Sequence, residues 1–247
     1  MTRPAPRWTL PRVFAHRCGG ALTPENTLAG LRVAAALGIR AVEFDVMLSA
    51  DGTPWLIHDE TLERTTNGQG RVCDASDAVL RGLDAGGFQH PAFAGERLPT
   101  FVEAAKLCRE LGLQANVEIK PAKGFEQQTG KVVAEHIVEL WRDAPLPLVS
   151  SFSEVALASA RRVSAELPLA ILWVRPPCDW LARRNALQAF SIHPEASETD
   201  DALLAAAKDA GVPVLCWTVN DAAFGRSLLE RGVSSLISDR PDLVRGL

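Results

Sequence analysis

The chain has no Cys-x-x-Cys pair, no basic run, no apolar stretch of membrane-spanning length and no Gly-x-Gly-x-x-Gly after its first apolar run. Each absence closes off a class. The five cysteines, at 18, 73, 108, 178 and 216, are odd in number and widely spaced, which indicates neither a disulfide framework nor a zinc site. A formal net charge of −4 with no lysine–arginine cluster argues against nucleic acid as a partner. The N-terminal stretch MTRPAPRWTLPRVFAHR has no apolar h-region, so the expectation is a soluble, cytoplasmic protein without stable membrane insertion. The missing glycine fingerprint counts against a doubly wound dinucleotide fold. No linker-like stretch divides residues 1–247, which are expected to form one domain.

What is present is a core and an alternation. Hydrophobic residues make up 47% of the chain, too many for disorder. After a proline-containing lead-in at 1–11, a strand is predicted at 12–16. A helix follows, starting at Thr23 as N-cap with Pro24 in first position and ending at Gly38. A hairpin occupies 41–59. Residues 60–99 are glycine-rich and aperiodic and read as an insertion over one end of the sheet, with helical pieces near 74–83. A helix at 100–111 then opens a regular series. Strands are predicted at 114–119, 147–152, 168–174, 188–192, 212–218 and 233–237, with helices at 126–142, 153–165, 178–186, 200–210, 221–231 and 241–246. About eight βα units at this length indicate an α/β fold, a TIM (β/α)8 barrel with a small insertion after the second-strand hairpin.

Residues 41–59, AVEFDVMLSADGTPWLIHD, hold the densest chemistry. Asp51-Gly52 is a two-residue hairpin signal, and that register sets Asp45 opposite His58. Glu43 and Asp45 share one face of a strand expected to be buried, where carboxylates need cations. Barrel active sites lie at the C-terminal strand ends. There the sequence sets His16-Arg17, Glu43 and Asp45, His58-Asp59, Glu118 and Lys120, Ser151-Phe152, His193, Trp217-Thr218 and Ser238-Asp239. Three carboxylates without cysteine favour a hard divalent cation, Mg²⁺ or Ca²⁺. His16 and His58 can flank a substrate as an acid–base pair. Arg17 and Lys120 suit an anionic substrate, above all a phosphate ester.

HRCGGALTPENT (16–27), EFDVMLSADGTPWLIHDETLERTTNGQG (43–70), EIK (118–120) and WTVN (217–220) closely resemble the glycerophosphodiester phosphodiesterase family, over essentially the whole chain. The resemblance implies a TIM barrel that hydrolyses a glycerophosphodiester to glycerol 3-phosphate and an alcohol with one divalent cation, Mg²⁺, Ca²⁺ or Mn²⁺. It implies His16 and His58 as the acid–base pair, Glu43, Asp45 and Glu118 as metal ligands, Arg17 and Lys120 on the phosphate, and Trp217 on the glycerol side. Glu25 and Asn26, of the motif PENT, are expected to brace the first loop. The family's usual His-Arg-Gly is His16-Arg17-Cys18 here. Either Cys18 adopts an ordinary backbone conformation, with Gly19-Gly20 supplying the bend, or it narrows the site. A thiol beside the site predicts sensitivity to oxidation. Two other functions share this constellation: a lysophospholipase D-type phosphodiesterase, with an apolar foot near Trp55, Phe88 and Phe93, and a non-catalytic phosphate-ligand-binding barrel.

Overall fold

A computed structural model describes residues 10–247; most of the predicted lead-in, and Trp8 with it, lies outside them. The strands are β1 (Val13–Ala15), β2 (Ala41–Leu48), β3 (Pro54–Leu56), β4 (Gln114–Ile119), β5 (Leu148–Ser151), β6 (Leu169–Trp173), β7 (Ser191–Pro194), β8 (Leu215–Cys216) and β9 (Ser235–Ser238). The helices are α1 (Leu28–Ala36), α2 (Asp77–Gly82), α3 (Phe101–Leu111), α4 (Glu126–Leu140), α5 (Glu154–Val163), α6 (Trp180–Leu187), α7 (Asp201–Asp209), α8 (Ala222–Glu230) and α9 (Pro241–Val244). Eight strands run parallel in the order β7-β6-β5-β4-β2-β1-β9-β8, and parallel bridges Ile192–Val214 and Glu195–Trp217 join the two ends into a barrel. The predicted TIM barrel is therefore the observed fold.

The alternation of side chains explains the layers. Every residue of β2 is buried. Val42, Phe44 and Val46 pack outward on the helix layer, where Phe101 of α3 lies between Phe44 and Trp141 at centroid distances of 6.1 and 6.0 Å. Their neighbours Glu43 and Asp45 consequently point into the barrel. Phe14, Ala41, Leu148, Ala170, Leu215 and Ile237 form a separate apolar cluster inside it. This layer lies below Glu43 and Asp45, which follow Ala41 on the same face of β2 towards the C-terminal end.

Two local predictions are corrected. The hairpin loop has three residues, 50–52: the Ser49 amide donates to the Thr53 carbonyl at 2.9 Å, and Gly52 alone takes a positive φ, +80°. Asp51 keeps an ordinary φ and turns its carboxylate to the Asp77 amide at 2.7 Å, at the start of α2. The register thus pairs Val46 with Leu56, and Asp45 lies across from Ile57 rather than His58. Helix α1 starts later than predicted, with Thr27 as N-cap accepting from the Gly30 amide. Asn26 adopts φ +57° just before it, a left-handed conformation that serves Asp45, as described below. Boundaries elsewhere move by a few residues; the strand predicted at 188–192 is Ser191–Pro194.

The insertion at 60–99 carries α2 and two short 3₁₀ turns, and buries Leu62, Val72 and Leu80 against Met47, Trp55 and Ile57 of the hairpin. Asp77 fastens it, accepting from Ser49 Oγ at 2.7 Å, Thr53 Oγ1 at 2.5 Å and Trp55 Nε1 at 3.0 Å.

Helices α4 and α5 touch through a bare backbone: a Cβ on Gly130 would stand 2.2 Å from the Ala156 carbonyl oxygen. Gly130→Ala is expected to lower stability by about 1–3 kcal/mol, the usual cost of overpacking. Urea denaturation measures it, and a loss below about 0.5 kcal/mol would mean that the helices shift apart freely.

Candidate active site

The C-terminal ends of the parallel strands surround one open pocket of about 100 Å³. Every residue assigned to the site from the sequence lines it: His16, Arg17, Glu43, Asp45, His58, Glu118, Lys120 and Trp217. β1 delivers the first two, β2 and β4 the carboxylates, and the chain beyond β3 delivers His58.

Glu43, Asp45 and Glu118 each offer an oxygen, all within 4.8 Å of one another, and only 2%, 1% and 8% of these residues is exposed. The parallel register makes this possible, since Asp45 and Glu118 are direct neighbours on β2 and β4. Lys120 Nζ stands 3.3 Å from Asp45 Oδ1 and 3.4 Å from Glu118 Oε1. Asn26 Nδ2 donates to Asp45 Oδ2 at 2.9 Å, and its Oδ1 accepts the Asp45 amide at 3.1 Å. The left-handed turn at Asn26 sets both bonds.

The electrostatics separate the three acids. Burial opposes ionisation of Asp45, but Lys120, His58 and Arg17 and the Asn26 amide overcome it and hold its pKa down at about 2. Burial and the neighbouring Asp45 charge push Glu118 up to about 7. Burial, Asp45 and Glu118 raise Glu43 well above its ordinary value. Glu43 Oε2 accepts the Arg17 amide at 3.0 Å, while Oε1 is buried without a partner. An orphaned carboxylate oxygen facing two further acids is what a hard divalent cation would satisfy, and the donor set fits one.

Each site histidine has an aspartate on Nδ1. His16 Nδ1 lies 2.6 Å from Asp239 Oδ1, and His58 Nδ1 lies 2.5 Å from Asp59 Oδ1. Asp239 also accepts from Asn220 Nδ2 at 3.2 Å. Gly20, φ +62°, permits this approach, because a Cβ there would stand 2.3 Å from the Asp239 carbonyl oxygen. Both rings therefore keep Nε2 for the pocket; that of His16 is 3.8 Å from Glu43 Oε2. Burial lowers the His58 pKa, opposed by the Asp45 charge and reinforced by Lys120.

Arg17 Nη1 donates to Glu25 Oε1 and Oε2 at 3.0 and 3.1 Å, leaving its buried Nε unpartnered 3.9 Å from Asp45 Oδ2. Across the pocket, Trp217 meets Phe152 edge to face at 5.5 Å and donates its Nε1–H to the His193 carbonyl at 2.9 Å. His193 itself does not reach the rim. It is fully buried, bonded to Ser191 Oγ at 3.1 Å, and burial drives its pKa down to about 3, so it is neutral.

Cys18 departs from expectation in both respects. Its φ is +76°, so its backbone is not ordinary, and its side chain lies against the bare Cα of Gly30 rather than in the pocket. The thiol is buried and burial raises its pKa well above the usual range, which removes the thiolate that oxidation needs. Asn116 was missed. It lines the pocket floor two residues before Glu118 on the same face, and both its amide atoms are buried and unpartnered. The two-residue spacing from Glu118 was the available signal.

A parallel β/α barrel with a buried carboxylate trio, two aspartate-held histidines and the cationic Arg17 and Lys120 at its strand ends is an arrangement suited to a phosphoric diester hydrolase. More narrowly, the chain belongs to the glycerophosphoryl diester phosphodiesterase family, whose model matches residues 16–243. A glycerophosphodiester phosphodiesterase of Caldanaerobacter subterraneus is 33% identical over 239 residues, 95% of this chain and 96% of its own. A phosphodiesterase of Oleispira antarctica, solved in complex with the product sn-glycerol 3-phosphate, superposes with a TM-score of 0.93 at 36% identity, covering 96% of each chain. A glycerophosphodiester phosphodiesterase of Agrobacterium tumefaciens superposes with a TM-score of 0.77 at 26% identity, covering 96% of this chain and all of that one.

Two tests follow from the ionisations. In the native protein Cys178 is exposed and the other four cysteines are buried, so a thiol reagent is expected to label one site rapidly and five after denaturation, with activity kept through the first. Rapid labelling of Cys18 would contradict its placement. The second concerns pH. Glu118 has a folded pKa of about 7 against an ordinary 4.5, so its contribution is complete below 4.5 and is lost as pH rises through 7. Asp45 has the opposite sign, its contribution being lost as pH falls from 3.8 towards 2. In chelator, stability is expected to fall between pH 5 and 8 by up to about 3 kcal/mol, and a divalent cation to reverse that slope by binding the ionised acids. Urea titrations at both pH values, with and without cation, read it; a chelated protein that grows more stable over that interval would refute the assignment.

Proposed function

We propose that this chain hydrolyses glycerophosphodiesters to glycerol 3-phosphate and an alcohol, with one divalent cation held by Glu43, Asp45 and Glu118. The observation that carries the reading is the pocket itself. Three buried acids meet two histidines, each tethered by an aspartate, in a cavity that also receives Arg17 and Lys120. Its relative from Oleispira antarctica, at 36% identity, binds sn-glycerol 3-phosphate. Hard carboxylate oxygens favour Mg²⁺ or Ca²⁺, with Mn²⁺ next. When bound, the cation supplies Lewis-acid charge for a non-bridging phosphate oxygen.

The chain's own groups do the rest. Arg17, its Nη1 held by Glu25, and Lys120, beside Asp45 and Glu118, supply two positive charges at the pocket for the anion. One histidine removes the proton of the nucleophile, either water or the glycerol 2-hydroxyl, through Nε2, and the other protonates the alcohol oxygen that leaves when its bond to phosphorus breaks; where the 2-hydroxyl attacks, water then opens the cyclic phosphate with the two histidines in reversed roles. Asp239 and Asp59 each hold Nδ1, which turns Nε2 to the pocket in both rings, bare in the neutral base and protonated in the acid. Trp217, braced by Phe152, lies against the carbon side of the glycerol. The lipid-directed alternative loses its footing in the insertion, because Trp55 is buried in the hairpin core and Phe93 is half-buried, leaving Phe88 alone exposed. Five unpaired thiols fit a reducing, cytoplasmic setting.

The test is glycerol 3-phosphate release from glycerophosphocholine and glycerophosphoethanolamine, in chelator and then with Mg²⁺, Ca²⁺ or Mn²⁺. Release is expected only with cation. His16→Ala and His58→Ala are expected to lose roughly 10²–10⁴ in kcat. Either variant turning over at the wild-type rate would remove that histidine from the mechanism, and no release by folded wild-type protein with any of the cations would overturn the function.

A further inference from the structure

We propose that Arg64, in the insertion, is a positioning residue that holds the phosphate-facing Arg17 and the acid–base His58 in one register. The inference rests on the function proposed above.

Arg64 does not line the pocket. Its planar fork is nevertheless filled along two edges. Nη1 and Nη2 donate to Glu25 at 2.8 and 2.9 Å, and Nε and Nη2 donate to Asp59 at 2.5 and 3.0 Å. Each of those carboxylates grips one pocket residue. Glu25 accepts both bonds from Arg17 Nη1, and Asp59 holds His58 Nδ1. The result is a chain of alternating charge, Arg17–Glu25–Arg64–Asp59–His58, with a pocket group at either end.

Stability does not account for this arrangement. The Arg64 side chain is 45% exposed, where an ion pair contributes at most about 1 kcal/mol. Geometry does account for it. Glu25 and Asp59 would repel each other without a cation between them, and Glu25 would then be bound by Arg17 alone. Two carboxylates on two edges of one rigid plane fix the angle between them, and so relate the Arg17 guanidinium to the His58 ring. A lysine ammonium supplies the charge but not the two edges. The histidine opposite is held differently, since Asp239 is backed by the neutral Asn220. Loss of Arg64 therefore acts on the His58 side of the pocket and on Arg17, and spares His16.

The experiment compares wild type, Arg64→Ala and Arg64→Lys on glycerophosphocholine at saturating cation, with thermal unfolding alongside. Arg64→Ala is expected to lose about 10²-fold in kcat/KM, divided between a raised KM, from Arg17, and a lowered kcat, from His58. Its melting temperature should stay close to that of wild type. Arg64→Lys should remain nearly as impaired, and millimolar methylguanidinium should restore part of the Arg64→Ala activity. An Arg64→Ala enzyme within threefold of wild type would overturn the proposal, as would an Arg64→Lys enzyme with wild-type kcat and KM, which would leave only net charge to explain Arg64. If Arg64→Ala does not fold, Arg64→Lys decides alone on the same criterion. Wild-type protein without turnover would instead count against the function on which the proposal rests.

Discussion

Three carboxylates inside a protein repel one another and lack water, and much of this molecule is arranged around that fact. The oxygens of Glu43, Asp45 and Glu118 gather within 4.8 Å. An ionised group moved from water into a low-dielectric interior carries a penalty of several kcal/mol unless it is paired. Lys120 lies between two of the acids, Arg17 approaches a third side, and Asn26 fills the remaining lone pair of Asp45. The compensation is incomplete, as the raised pKa values of Glu43 and Glu118 record. A divalent cation would complete it, which is why the same cluster reads as unstable alone and as a site when loaded.

The first loop absorbs the cost of presenting cations to that cluster. Arg17, Cys18 and Asn26 all have positive φ, at 48°, 76° and 57°. For residues with a Cβ this costs of order 1–2 kcal/mol each. What holds them there is a set of bonds: the Cys18 amide to the Glu43 carbonyl at 2.7 Å, the Asn26 amide to the Arg17 carbonyl at 2.9 Å, and Arg17 to Glu25. Cys18, where a glycine would be the easier choice, survives because helix α1 presents Gly30 to it, and a Cβ on Gly30 would stand 2.8 Å from the Cys18 Cβ. The two positions form a complementary pair. Strain in this loop and repulsion in the acid cluster are thus parts of one arrangement, each restrained by the other.

The fold was legible because its signals are local. Helix periodicity, glycine stops and Thr100, which closes a full capping box with Glu103, depend on a few neighbouring residues. The carboxylate trio was legible too, since Glu43, Asp45 and Glu118 occupy strands whose parallel order follows from the βα pattern. What failed were statements about a single residue's backbone. Asp51-Gly52 specifies a turn but not its length, and one extra loop residue moved His58 out of register with Asp45. His58 nevertheless lines the pocket, because it lies just past the strand, where the chain is free to turn inward. Cys18 was placed beside the site from its position in the chain, yet its inverted φ turns the thiol away. The bracing aspartate of His16 lies at residue 239, a separation that no local pattern bridges.

Residue types and their spacing along the chain determined the barrel, the identity of the acids, histidines and cations, and the strand ends at which they sit. These follow from periodicity and hard-ligand chemistry, which are properties of short segments. Only the tertiary structure decided which groups are paired and which are free. It left Glu43 Oε1 and Arg17 Nε without partners, gave each histidine an aspartate, sealed His193 and Cys18 away, and drew Arg64 from the insertion into the site's support. Hydrogen-bond partnership depends on ångström distances between segments remote in sequence, and those distances exist only once the barrel has closed.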